Sequence, residues 1–518
     1  MKTAIVIGGG HNGLIAAFYL AKAGIKPIVL EARDAIGGGA ATSEIHPGFR
    51  CPTLTHEVLL QQRIVQDMDL GRHGLELLAP PAQVCSLSSA GPLVIGDNPE
   101  RTQQSISSFS AKDAAAFPLF QAALQRTASV LASAFEYAPP SIVKPGAADL
   151  WNLLKTARTF RSLGKRDAHR LLRWGPMPVA DLMHEWFEHE LVRATIAAPA
   201  LTGTMFGPRS AGSSLMLLMR QAHRQLAGGS PLRVKGGPGL AAHALSSAAR
   251  AAGAEIRTST TVDRIVVGDG TVRGVATGGK TIEADMVLSS ADPKTTFLRL
   301  IEPSELSPDF AGKIQNYRAA GTVAKVNLAL ASMPDFGCAP ESLTGRIQIG
   351  PDLDYIERAF DHAKYGEFSG QPWLELTIPS LLDDTLAPQG AHVASIYVHY
   401  APRSLRSGDW TVARDALLDA VIAVLEGPAP GIRNQIVGAQ VITPFDLERK
   451  HGLSGGHIFH GELALDQLFT MRPLLGHARY RTPIRGLYLC GAGTHPGGFM
   501  TGASGRLAAS TALTASEI

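Results

Sequence analysis

Four apolar residues, Ala4-Ile5-Val6-Ile7, run straight into Gly8-Gly9-Gly10-His11-Asn12-Gly13, after which the apolar positions take up helical spacing. The pattern predicts a short strand, a tight glycine turn and a helix over about 12–23. Gly24 and Pro27 end that helix, and Pro27-Ile28-Val29-Leu30 predicts a second strand parallel to the first. The same order returns near the other end of the chain. There Gly486-Leu487-Tyr488-Leu489-Cys490 leads into Gly491-Ala492-Gly493-Thr494-His495-Pro496-Gly497-Gly498, and a small-residue helix is predicted from Met500 and Thr501 to about residue 514.

Between these ends the rhythm changes. Residues 76–224 lose the strand–helix alternation and read as largely helical, with breaks at Pro139-Pro140, Pro145-Gly146 and Gly207-Pro208. Gly236-Gly237-Pro238-Gly239 then opens a helix over 240–252. Strands follow at 255–258 and 261–267, a Gly268-Asp269-Gly270 turn, a strand at 272–276, and a run over 282–289 that should rejoin the first sheet. Residues 300–449 mix strands at 323–330 and 392–399 with a helix at 413–425, which suits the sheet of a second domain. The chain is thus α/β and discontinuous. A Rossmann-type domain is expected from 1–75, 225–300 and 450–518, and a mixed-sheet substrate domain with a helical lid from 76–224 and 301–449.

The first glycine segment carries chemistry. Gly8 allows the turn out of the strand, Gly10 lets backbone approach a diphosphate, and Gly13 lets the helix pack on its strand. His11 and Asn12 open the helix, whose free N–H groups and dipole favour phosphate. Glu31, eighteen residues after Gly13, ends the second strand where an acid accepts ribose hydroxyls and repels a 2′-phosphate. Beyond Ala32, Arg33 can neutralise phosphate charge, and Gly37-Gly38-Gly39, Ala40 and Thr42 let backbone run along the middle of a long dinucleotide. An NAD enzyme has no physical need for that second cluster. With a further glycine segment at the far end, the reading is FAD. Gly491, Gly493, Gly498, Met500, Thr501, Thr55 and Val262 complete the expected cofactor contacts.

Bulk properties narrow the class. A chain of 518 residues holds two or three domain-sized cores, and a net charge of +3 is too small to imply nucleic acid. Cys51, Cys85, Cys338 and Cys490 form no Cys-x-x-Cys and read as reduced thiols. No run approaches the roughly 18 apolar residues of a membrane span. With the first strand starting at once, no leader is expected and the cytoplasm is the default location.

The stretch from Pro444 through Ala509 resembles the glycine-doublet, phytoene desaturase-like flavoproteins, and within them the subgroup of pyridine nucleotide-disulphide oxidoreductase domain-containing protein 2 and its bacterial relatives. The resemblance rests on Phe445-Asp446-Leu447-Glu448-Arg449, His460-Gly461-Glu462, Ala478-Arg479-Tyr480-Arg481-Thr482-Pro483 and the second glycine segment. Gly8 to Leu14 and Ser289-Ser290-Ala291-Asp292-Pro293 match too, while the insert near 100–175 matches least. It implies an amine oxidase/carotenoid desaturase-like architecture and FAD, with desaturases, carotenoid isomerases and retinol saturases as cousins. It also implies that the last helix aims its N-terminus at the flavin. One departure stands out: Gly491-Ala492 replaces the Gly-Asp of many relatives, which removes a carboxylate from the flavin's chain.

The expected activity is an FAD-dependent dehydrogenation or desaturation of an apolar, unsaturated small molecule, with hydride passing to flavin N5. His56, in the loop expected against the isoalloxazine, and His495, before the last helix, are the catalytic candidates. Three other readings remain: a redox-neutral isomerase using reduced FAD, an amine oxidase, and a non-catalytic flavin-binding regulator. Only one dinucleotide fingerprint is present, so oxygen, a quinone or another diffusible acceptor should reoxidise the flavin. His451, His457, His460 and Glu462 fit no metal template, and no metal is expected. Residues 151–175 carry seven Lys or Arg against one acid, among Trp151, Leu154, Phe160, Leu171, Leu172 and Trp174. That segment reads either as a solvated lid or as a peripheral membrane contact. Monomer and homodimer are both open.

Overall fold

The structure, a computed structural model, describes residues 2–141 and 145–515. Its first layer is a five-stranded parallel sheet in the order Leu487–Leu489, Met286–Ser289, Thr3–Ile7, Lys26–Leu30, Glu255–Arg257. The first and last strands of the described chain thus share one sheet, two places apart. Its short apolar runs are buried on both faces, as parallel strands require. On one face Val6, Val29 and Leu288 pack with Leu14 and Leu20 of the helix His11–Lys22, Leu245 of Pro238–Ala251 and Ala508 of Ala503–Ala515. On the other, Ile5, Val287 and Leu489 pack with Val275 of a small antiparallel sheet and with Phe297 and Phe310. This is a Rossmann-like arrangement.

A seven-stranded mixed sheet forms the second layer, in the order Ile436–Ile442, Val323–Leu330, His392–His399, Leu374–Thr377, Arg346–Ile349, Ala82–Ser88, Gly91–Gly96. Helix Trp410–Glu426 covers one side through Trp410, Leu417 and Val421. On the other side lies a helical layer, including Ala111–Phe135, Val179–Trp186, Glu190–Ala197 and Ser213–Leu226, around Phe120, Trp174 and Leu218.

Several boundaries move. The strand expected over 261–267 is Arg264–Gly268, and the run over 282–289 divides into Lys280–Glu283 and Met286–Ser289. The last helix starts at Ala503, with Met500 and Thr501 in the turn before it. Residues 76–224 are not helical throughout, because Leu77–Leu78, Ala82–Ser88 and Gly91–Gly96 are strands. Ala82–Ser88 is buried along most of its length and pairs with Arg346–Ile349, some 260 residues away, so it shows no alternation.

In the segment expected as lid or membrane contact, Ala147–Ser162 and Gly164–Trp174 are two helices. Leu150, Trp151, Leu153, Leu154 and Leu172 stand exposed there, Trp151 at 57%. Arg170 and Asp167 pair at 2.6 Å, whereas Arg158, Arg161, Lys165 and Arg166 face solvent. Among the described residues, no helix is long and apolar enough to cross a membrane.

The first and last helices touch at Gly505, where an added Cβ would run into the Asn12 carbonyl. Gly505→Ala should cost roughly 1–3 kcal/mol, as overpacking does. Gly312, in helix Pro308–Gln315, has nothing within 4 Å of an added Cβ. Gly312→Ala should gain up to about 1 kcal/mol from helix propensity. Calorimetric melting of both variants checks the contrast, and equal shifts would contradict it.

Candidate cofactor and active site

Strand Thr3–Ile7 ends at Gly8, whose φ of +94° carries the chain under the sheet edge while its N–H donates to the Leu30 carbonyl at 2.8 Å. Gly13 packs so closely that a Cβ would collide with the Gly8 carbonyl. Gly10 caps the helix with no side-chain acceptor, and no acid occupies the first turn. The first-turn N–H groups and the positive dipole end therefore remain for an anion. Gly37 N–H donates to the Gly9 carbonyl at 2.9 Å, which folds the second glycine cluster over the first. Glu31 accepts from Gly9 N at 2.7 Å through Oε2 and from Arg33 N at 3.0 Å through Oε1. Each oxygen keeps a lone pair for a hydroxyl. Arg33 Nη1 lies 3.3 Å from His451 Nδ1, and burial, with Arg33 beside it, lowers the His451 pKa to about 4. A neutral imidazole can accept that bond.

These groups line one long cleft of about 1460 Å³, open to solvent. Of the expected cofactor contacts, Gly8, Gly10, His11, Asn12, Glu31, Ala32, Arg33, Gly38, Gly39, Ala40, Thr55, Val262 and Met500 form its walls. Gly13, Thr42, Gly491, Gly493, Gly498 and Thr501 stand behind them. Thr42 Oγ1 accepts from Gly239 N at 3.0 Å and anchors the helix Pro238–Ala251. Cβ atoms at Gly491 and Gly493 would press on the Ser290 carbonyl and Pro293, and one at Gly498 on Leu463. The Thr501 carbonyl accepts from Gln61 N at 3.0 Å, and the Met500 carbonyl from Leu59 N at 3.1 Å. The C-terminal segment is thereby stitched to the start of the chain.

Neither catalytic candidate lines the cleft. His495 turns toward the helical layer, its Nε2 3.3 Å from the Ala134 carbonyl and its ring 5.7 Å from Phe135; burial lowers its pKa to about 4. His56 lies one layer behind Thr55. Its ring stands 4.1 Å from Tyr397, which does line the cleft, and its Nε2 meets Lys325 Nζ. Lys325 also donates to the Leu54 carbonyl at 3.3 Å. Burial, then each other's charge in the case of His56, pushes both pKa values well below their ordinary range.

The cleft also draws on residues the sequence reading left out of the site. Ser290, Ala291, Asp292 and Thr295 come from the turn after strand Met286–Ser289, where Asp292 accepts from Thr295 N at 2.9 Å and from Ser454 N at 3.1 Å. His451, Phe459 and His460, weighed there only as resemblance or as ligand types, belong to the wall, as do Tyr397 and Phe499. The turn after a parallel strand was a usable signal for Ser290 and Asp292. His11 Nε2 and His460 Nδ1 are buried and lack hydrogen-bond partners. Burial lowers the pKa of both, that of His11 to about 4. The donor set fits FAD: a bare glycine cradle at a helix N-terminus, an acid for ribose, and unpartnered neutral imidazoles along the wall.

Comparison with known proteins agrees. The FAD dependent oxidoreductase family, DAO, matches residues 3–368. Pyridine nucleotide-disulfide oxidoreductase domain-containing protein 2 of Rattus norvegicus is 37% identical, over 98% of this chain and 92% of its own. Phytoene desaturase (lycopene-forming) of Pantoea ananas is 27% identical over 99% of both. A limonene dehydrogenase polypeptide of Castellaniella defragrans is 29% identical over 98% of this chain and 93% of its own. In fold, cyclohexylamine oxidase of Brevibacterium oxydans matches with a TM-score of 0.60 at 16% identity, covering 100% of each chain. Cradle, ribose acid and similarity along the whole chain converge, and the chain belongs to the FAD dependent oxidoreductase family.

Proposed function

We propose that this enzyme is a dehydrogenase of the desaturase type acting on an apolar, unsaturated small molecule. One observation carries the reading: away from Glu31, the cleft is walled by Leu54, Tyr397, Ile458, Phe459, Phe499 and Met500, and the imidazoles at and just behind it are held neutral by burial. Such a wall suits an apolar substrate and offers no charged base. FAD, when bound, supplies a two-electron acceptor. The chain's part is to orient the substrate and exclude water. The helix Ala503–Ala515 begins three residues after the cleft-lining Met500, and the positive end of its dipole favours negative charge there. Residues 1–75, 225–300 and 450–518 would hold the cofactor, and 76–224 with 301–449 the substrate. The names limonene dehydrogenase and phytoene desaturase, both for proteins acting on unsaturated hydrocarbons, support this substrate class.

Oxygen, a quinone or another diffusible acceptor would take the electrons. The purified protein should show a bound flavin spectrum that apolar polyenes or allylic alcohols bleach anaerobically and NADH does not; rapid bleaching by NADH would overturn the acceptor assignment. Glu31→Gln removes a charge-assisted acceptor and should weaken FAD binding roughly ten- to a hundredfold, as measured by flavin fluorescence. An unchanged affinity would remove Glu31 from the ribose site.

We further propose that the exposed apolar residues of Ala147–Ser162, flanked by Lys155, Arg158, Arg161 and Lys165, rest on an anionic membrane. Each cation near such a surface contributes about 1 kcal/mol. The quadruple change of these four to Glu should abolish co-sedimentation with phosphatidylserine vesicles and leave flavin content intact. Equal sedimentation of both proteins would refute the contact.

A further inference from the structure

Behind Thr55, Tyr397 and Phe499 lies a buried cluster of charge that the reading above does not use. Glu57 accepts from Arg220 Nη2 at 2.8 Å and from Arg224 Nη2 at 3.4 Å. Arg346 Nη1 is 3.5 Å from Glu375 Oε2, which also accepts from Thr202 Oγ1 at 3.1 Å. Arg233 Nη1 donates to the His56 carbonyl. Arg220, Arg346 and Glu375 are each at least nine-tenths buried. Four guanidinium groups thus face two carboxylates, with Lys325 in the same neighbourhood. Guanidinium does not shed its proton, so the excess is real charge. Uncompensated buried charge costs several kcal/mol per ion.

The donors are unfilled as well. Arg220 Nε, Arg224 Nε, Arg346 Nε and Arg346 Nη1 have no hydrogen-bond partner, nor do the ring nitrogens His399 Nε2 and Trp373 Nε1. Buried donors are ordinarily satisfied, and an unmet set of this size marks a site for an acceptor. The cluster adjoins the cleft: the Arg220 guanidinium lies 5.3 Å from the centre of the Phe499 ring, and Lys325 Nζ 4.3 Å from that of Tyr397. Both rings belong to the cleft wall.

We infer that this arginine cluster receives an acidic head group, carboxylate or phosphate ester, carried by an otherwise apolar substrate. The inference rests on the proposed dehydrogenase and narrows its substrate from hydrocarbon-like to amphipathic. An anion would offset the excess charge and take up the free N–H groups in forked geometry. The apolar remainder would lie along Phe499, Phe459 and Leu54, between the head-group site and the cofactor cradle.

The test uses the flavin-loaded protein at constant ionic strength. Decanoate, decyl phosphate and decanol are titrated while the visible flavin spectrum and melting temperature are followed. At least one acid should bind about tenfold or more tightly than the alcohol, and the spectrum tells which head group is preferred. Arg220→Gln leaves Glu57 paired with Arg224 and should bring acid and alcohol to within roughly threefold, whereas Arg346→Lys keeps the charge and should retain most of the preference. If flavin is bound and all three ligands bind alike, or if Arg220→Gln leaves the preference untouched, the head-group site is wrong while the dehydrogenase reading stands. Absence of bound flavin in the purified protein would instead undo the earlier reading.

Discussion

The contact on which the architecture turns is the meeting of the first helix with the last. Asn12 Oδ1 accepts from Gly505 N at 3.3 Å, and Gly505 comes so near the Asn12 carbonyl that no side chain fits between them. This approach brings Met500 to the same cleft as Gly8 and Glu31, almost 500 residues apart in sequence. Leu59 and Gln61 bond to the carbonyls of Met500 and Thr501 and fix the turn before the last helix. Without that closure the glycine cradle would hold a phosphate and little else.

Legibility in the sequence followed the range of the interactions involved. The glycine turn, the helix behind it and Glu31 are local consequences of backbone geometry, so the cradle and its cofactor were readable from about thirty residues. Strands Val323–Leu330 and His392–His399 matched their predicted bounds because their apolar runs are long. Ala82–Ser88 was hidden, since its partner lies elsewhere and Ser86 and Cys85 give it no pattern. Side chains that meet only in three dimensions were equally hidden. His56 was noticed for its loop, but nothing in the sequence places it against Lys325 and Tyr397, more than 260 residues on.

Buried titratable groups divide into two kinds. Histidines at positions 11, 56, 457 and 495 have depressed pKa values and stay neutral, with burial the leading cause. Arginines around Glu57 and Glu375 cannot respond in that way and retain their charge. Groups able to discard a proton surround the cofactor cleft, and groups unable to do so gather behind Tyr397. The protein therefore presents a neutral cavity backed by a positive floor, two environments separated by one layer of aromatic rings.

The pairing of strand Leu487–Leu489 with Met286–Ser289 has a consequence for biogenesis. A ribosome delivers the nucleotide cradle first and its closing wall almost five hundred residues later. Until residues through the last helix have left the exit tunnel, the nascent polypeptide can grip at most the adenosine half of its prosthetic group. Holoenzyme assembly is in this sense a post-translational event, and early termination anywhere before that helix leaves a chain whose most costly apolar surfaces have no cover.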